Sequence, residues 1–316
     1  MADAFAYLVF FLVIAGAYAL ACLGLNLQWG ATGLFNVGVA GFVAIGAYTS
    51  AILTAPPSPD RLGGLAWPIV VGWIGAVVAA GLVALGVGAL TVRLRHDYLA
   101  IATFGIAVTI QLLALNLVRL TGGPFGIHGV PRPFSAVVAS PLGRNVAYVA
   151  LVIALVAAVY VLLERLVASP WGRVLRAIRE DEAAAAALGK SPAAFRLQAF
   201  TLGAMVMGLA GAVYAHFIGF VAPEDFLSIL TFQVWTMLVV GGSGNNRGAI
   251  AGAAAVWALW TSSGAALTAV LPEAMQARGA ALQTVAIGVV LAAVLLVRPR
   301  GLFGEATVVS RHAGPE

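Results

Sequence analysis

The stretch VAYVALVIALVAAVYVLL, residues 146–163, has 18 residues and not one charge. About 20 apolar residues carry an α-helix across a bilayer, so this run reads as a membrane span and decides the fold class. Similar runs recur at 5–25, 38–54, 67–91, 99–118, 200–220, 228–241, 248–268 and 280–297. The pattern predicts an all-α integral membrane protein of about nine spans, a single transmembrane domain over 1–316. Composition agrees: 62% of residues are hydrophobic, 9% are charged, and the mean hydropathy is +1.01. A soluble domain carries about 25% charged residues, too many to reconcile with this chain.

No Lys or Arg precedes the first run. A secretory signal peptide needs a positive leading region, so residues 5–25 read as a permanent span. Cys22 is the only cysteine, which excludes a disulfide framework and a Cys-based metal site. The net charge of +5 does not signal nucleic acid, because the basic residues sit in short loops between spans. They set orientation instead. With 164–199 in the cytoplasm, Arg93, Arg95, Arg165, Arg173, Arg176, Arg179, Lys190, Arg196, Arg247, Arg298, Arg300 and Arg311 fall inside. Arg61, Arg119, Arg132, Arg144 and Arg278 fall outside. The expected N-terminus is external and the C-terminus cytoplasmic.

The segment after the opening stretch is ERLVASPWGRVLRAIREDEAAAAALGKSPAAFRLQA, 164–199. Ser169 precedes Pro170, a residue suited to the first turn of a helix. Val174, Leu175 and Ile178 form a narrow apolar stripe, and Arg173, Arg176 and Arg179 a basic face. Acids favour helix N-termini, so a second short helix is expected from Asp181 through the alanines. Gly189 supplies a left-handed stop, and Ser191-Pro192 opens the next helix. An ordinary solvated loop has no need of such order. The segment reads as a cytoplasmic docking element.

Glycine, 37 residues in all, is spread through the apolar runs, as close helix packing in lipid requires. Two groups are denser and adjoin asparagines: Gly30 to Gly38 around Asn36, and Gly241 to Gly248 around Asn245 and Asn246. Both read as helix breaks. Lipid tolerates a break only where protein or a water-lined cavity satisfies the freed backbone groups. Transporters use the exposed half-helix ends to hold a ligand. Gly30, Gly33, Asn36, Gly38 and Gly41 are the expected solute path, with Leu34, Phe35 and Val37 suited to an aliphatic side chain.

Here a resemblance becomes specific. Glu182-Ala183-Ala184 followed by Gly189 resembles the EAA signature of ABC importer permeases, the loop that contacts the ATPases. GRVLRAIREDEAAAAALG is similar to its version in branched-chain amino acid permeases of the LivM and LivH type. LNLQWGATGLFNVGVAGFVAIGAYTSA (25–51), Leu120 to Pro124, VVGGSGNNRGAIAGA (239–253) and RPRGLFG (298–304) agree, with LivM the better fit. Val39 departs, standing where many relatives carry a polar residue. That leaves room for urea or a short amide as substrate.

The resemblance implies an ABC importer permease fold with the coupling loop at 164–199. Arg176, Asp181, Glu182, Ala183, Ala184 and Gly189 would form its docking surface. The implied partners are a LivH-like permease, two cytoplasmic ATPases and a periplasmic solute-binding protein, in the bacterial inner membrane. No cofactor is implied, because the partner subunits bind ATP. The chain itself has no Walker A pattern.

No Asp, Glu, Lys or Arg lies well inside an expected span, which argues against ion-coupled transport. Asn26, Gln28, Gln111, Asn116, His216, Gln233 and Gln283 read as interhelical hydrogen-bonding residues. Gly241-Gly242-Ser243-Gly244 matches an intramembrane serine protease motif, but no later span supplies a histidine.

Overall fold

The computed structural model describes residues 2–59, 61–94, 96–135, 138–270, 301–304 and scattered positions between 282 and 297. Among these, α1 (Ala2–Thr32), α2 (Val39–Thr54), α3 (Ile69–Thr91) and α4 (His96–Asn116) lead into a one-turn helix, α5 (Val118–Thr121). Helices α6 (Pro141–Ala168), α7 (Pro170–Glu180), α8 (Glu182–Ala187), α9 (Pro192–Ile218), α10 (Ser228–Gly241) and α11 (Asn246–Val270) follow. Six of them, α1, α3, α4, α6, α9 and α11, contain stretches long and apolar enough to cross a membrane. The others matching expected spans, α2 and α10, are shorter apolar helices of 16 and 14 residues. Half of the expected span 280–297 lies outside the described residues, so the count of nine is not established.

One boundary is corrected. The first helix does not stop near residue 25 but continues through Gly30 to Thr32. Gly33, at φ +70°, then turns the chain out of the helix.

Helix α9 is the centre of the bundle, packing on α1, α2 and α3. Its glycines explain why. A Cβ on Gly203 would lie 2.5 Å from the Gly24 carbonyl oxygen of α1. One on Gly208 would meet Ala80 of α3, and one on Gly211 the Val43 carbonyl of α2. On α3 the matching stripe is Gly72, Ala76, Ala80, Ala84 and Gly88, all buried at four-residue spacing. The opposite face of α3 shows Val70, Ile74 and Leu82 at 65%, 59% and 64% exposure. In lipid, burial of apolar surface cannot drive helices together, so backbone proximity and van der Waals contact must.

The loop 164–199, the C-terminus of α1 and the start of α11 gather at one end, joined by hydrogen bonds described below. The segments 55–68, 117–140 and 219–227 gather at the other. There Leu62 N donates to the Arg119 carbonyl at 2.5 Å. A two-residue antiparallel ladder pairs β1 (Ile127–His128) with β2 (Phe220–Val221). Among the described basic residues, Arg93, Arg165, Arg173, Arg176, Arg179, Lys190, Arg196 and Arg247 lie at the loop end; Arg61, Arg119, Arg132 and Arg144 lie at the opposite end.

Candidate functional site

The loop has the order its sequence predicts. Pro170 occupies the first turn of α7, and the Ser169 hydroxyl donates back to the Leu166 carbonyl at 2.6 Å rather than capping forward. Gly172 is pressed against the Val167 backbone, allowing the sharp turn from α6. Leu175 and Ile178 are buried; Val174 is half-buried. Asp181 caps α8, its Oδ1 accepting from Ala184 N at 2.9 Å.

Gly189, at φ +76°, ends α8 in a Schellman closure. Lys190 N reaches the Ala185 carbonyl at 3.2 Å and Gly189 N the Ala186 carbonyl at 2.9 Å. Asp181, Glu182, Ala183 and Ala184 are exposed, Arg176 is half-buried, and Leu188 stands 81% exposed beside them. Glu182 also reaches back to Arg196 of α9 at 2.8 Å, fastening α8 to the bundle. That second role was not legible in the sequence.

Both glycine-rich groups are breaks. Residues 33–38 have no regular structure between α1 and α2, and Gly242, at φ +107°, ends α10 before α11 begins at Asn246. The two breaks touch. A Cβ on Gly30 would lie 2.6 Å from Gly244 N. Asn26 joins them, its Nδ2 donating to Asn246 Oδ1 at 2.8 Å and its Oδ1 accepting from Gly244 N at 2.8 Å. Asn246 Nδ2 in turn donates to Glu164 at 2.9 Å, on the last turn but one of α6. The Arg179 guanidinium of α7 donates to the Gly30 carbonyl. The late motif joins as well: Leu302 N and Phe303 N donate to the Val240 and Gly241 carbonyls at 2.8 and 2.9 Å. Those contacts satisfy acceptors that the end of α10 would otherwise leave unpaired.

Much of the backbone of the first break, where the sequence reading expected groups free for a solute, is paired within the protein. Leu34 N donates to Gln28 O and Asn36 N to Leu34 O, each at 3.0 Å. Val37 N donates to Thr103 Oγ1 at 3.0 Å, and Ala40 N to Thr231 Oγ1 at 3.0 Å. Asn36 is fully buried; its Nδ2 donates to Gln28 Oε1 and its Oδ1 accepts from Gly38 N, both at 2.7 Å. Trp235 Nε1 donates to the Asn36 carbonyl at 2.9 Å, and the Trp235 ring sits 4.8 Å from Phe35 and 5.5 Å from Trp29. Asn36 is therefore a latch that holds the break in shape.

Gly38 and Gly41 admit α4, where a Cβ would lie 2.7 Å from the Thr103 carbonyl and 2.9 Å from Ala107 Cα. Leu34, Val37 and Val39 are buried. Gly33 lines a cleft of about 120 Å³ with Arg93, Glu182 and Arg196. The structure thus brings a break residue against the 164–199 loop, a proximity that sequence spacing did not reveal. Asn26, Asn246 and Glu164 complete the site; the sequence marked Asn26 as an interhelical hydrogen-bonding residue and Asn246 as adjoining a glycine cluster. The protease alternative gains nothing, because buried His216 faces Ser50 Oγ at 2.8 Å and the Pro131 carbonyl at 2.7 Å, not Ser243.

A family model described as branched-chain amino acid transport system / permease component matches residues 7–297. The high-affinity branched-chain amino acid transport system permease protein LivM of Salmonella typhimurium is 36% identical over 249 residues, covering 72% of this chain. That alignment covers 57% of the Salmonella protein, so the chain spans little more than half of this relative's length. A probable LivM permease from Methanocaldococcus jannaschii is 29% identical, with 75% of each chain covered. The Salmonella typhimurium LivH permease is 24% identical, with 93% of this chain and 94% of that one covered. No solved structure gives a significant match. With the family model spanning nearly the whole bundle, the chain belongs to the family of permease components of branched-chain amino acid transport systems.

Proposed function

We propose that this chain is a membrane permease subunit of an ABC importer for branched-chain amino acids, driven by ATPases that dock on the 164–199 loop. It would pair with a LivH-like permease, with a periplasmic binding protein on the opposite face. The N-terminus would be external and the C-terminus cytoplasmic in the bacterial inner membrane. The observation that carries the reading is the bond from Arg179 to the Gly30 carbonyl. It joins the docking element to the place where the two breaks meet.

The mechanics follow from that joint. Exposed Ala183, Ala184 and Leu188 give a partner groove a small, flush apolar surface. Leu175 and Ile178 seat α7 in the bundle, so a push on α8 moves α7 as a unit. Arg179 passes that motion to the end of α1, and Asn26 passes it to the second break. The solute path expected at Gly30, Gly33, Asn36, Gly38 and Gly41 becomes the cytoplasmic gate of the route, shaped by Asn36 rather than lined by it. Energy comes from the partners, and this chain needs no cofactor or ATP site. ATP-driven leucine uptake by vesicles holding the assembled complex tests the reading. Transport of urea or a short amide in place of leucine would contradict it.

A further inference from the structure

The sequence reading placed no charged group inside the bundle, yet one half-buried carboxylate borders a partly open cavity between its helices. After α9 the chain forms a 3-10 turn, Pro223–Phe226, whose Pro223 and Phe226 are buried beneath the end opposite the docking loop. Below it lies a cavity of about 100 Å³ between α1, α2, α9 and α10. Val43, Leu230 and Val234 line it with apolar surface, and Tyr18, Tyr214 and Asp225 give it polar edges.

The polar edges are all acceptors. Tyr214 spends its hydroxyl proton on Asp225 Oδ1 at 3.1 Å, and Tyr18 spends its own on Gln233 Oε1 at 3.0 Å. Asp225 Oδ2 accepts from Ala222 N at 3.0 Å. Among the described residues no cation pairs with this carboxylate. Both donors are neutral, and the half-buried carboxylate keeps lone pairs for a further donor. The group that complements such a carboxylate best is a donor that carries positive charge. An ammonium supplies three protons and no acceptor, and aromatic faces nearby add attraction for a cation.

We propose that this cavity binds a primary ammonium carried on a short aliphatic group, the chemistry of a branched-chain α-amino acid, with Asp225 holding the nitrogen. This rests on the importer reading and places the outward-facing solute site some distance from the two breaks. A cavity of about 150 Å³ holds benzene, so 100 Å³ accepts a small branched alkyl group with the polar end at the opening. Val43, Leu230 and Val234 would surround that group.

The test uses the assembled transporter in nanodiscs without ATP, and displacement of labelled leucine by two analogues. The amine 3-methylbutylamine lacks the carboxylate; 4-methylpentanoate lacks the ammonium. The expected result is displacement by the amine and not by the acid, with both leucine and amine binding weakened at least tenfold in Asp225→Asn. Ala17→Leu, which fills the cavity without changing a polar group, should do the same, and it decides the matter if Asp225→Asn fails to assemble. Wild-type amine binding in the assembled variants, or displacement by the acid alone, would overturn the site. Should the wild-type complex import no leucine yet bind the amine in an Asp225-dependent way, the site stands and the substrate reading falls. Unimpaired leucine import by both variants would leave the importer reading intact and remove the site.

Discussion

The guanidinium of Arg179, on the short helix α7, donates to the backbone carbonyl of Gly30, inside the last turn of α1. The last carbonyls of a helix have no intrahelical donor, and a cation there also meets the negative end of the helix dipole. Arg179 therefore stabilises the end of α1 only while α7 holds its position. If α7 moves, the end of α1 must move or lose its donor. On the proposed reading, this is how a partner docked on the loop would govern the backbone break behind it.

Gly189 tests the docking element without disturbing packing. A Cβ there meets nothing within 4 Å, so the only constraint is its φ of +76°. Gly189→Val should strain the turn by about 1–3 kcal/mol, whereas Gly189→Asn should cost little, because Asn tolerates the left-handed region. Pull-down of the ATPases should fail for Val and succeed for Asn. Equal retention by both would mean that the Schellman closure does not shape the docking surface.

The central role of α9 predicts a contrast between two glycines. Gly208 lies against Ala76 and Ala80, while Gly86 on α3 has nothing within 4 Å of its Cβ position. Gly208→Leu should overpack the bundle by at least about 1–3 kcal/mol and lower the amount of folded protein in membranes. Gly86→Leu should be close to neutral. Thermal unfolding in detergent, followed by a fluorescent fusion, gives the ranking, and similar behaviour of the two would remove the packing argument.

Orientation is open to labelling. Lys190 at the loop end and Ala139 at the opposite end are both exposed. In a Cys22→Ser background, Ala139→Cys should react with an impermeant thiol reagent in intact cells and Lys190→Cys only after lysis. The reverse pattern would turn the protein over in the membrane.

Spans were legible because charge-free runs of membrane length leave few other structures open. The caps of the docking loop were legible too, since Pro170, Asp181, Gly189 and Pro192 act on neighbours a few residues away. Long-range partnerships were not. Asn26 and Asn246 bond across 220 residues, and hydropathy carries no information about which breaks meet. The same gap misled the reading of Asn36: a polar residue in a break looked free, but Gln28 one helical turn and a bend away takes its amide. Asp225 stayed hidden because it lies in an ordinary polar loop, and only the fold shows that the loop turns inward.

The coupling claim is tested most directly by leucine imported per ATP hydrolysed, compared between wild type and Arg179→Ala in proteoliposomes with the ATPases bound. A hydrogen bond from a charged group contributes about 1.5–3 kcal/mol, enough to change the balance between the two states of the gate by at least about tenfold. The predicted result is that ATPase binding and hydrolysis persist while leucine import falls at least tenfold. Wild-type import per ATP in Arg179→Ala would show that the loop drives the permease by another route, and would contradict the account.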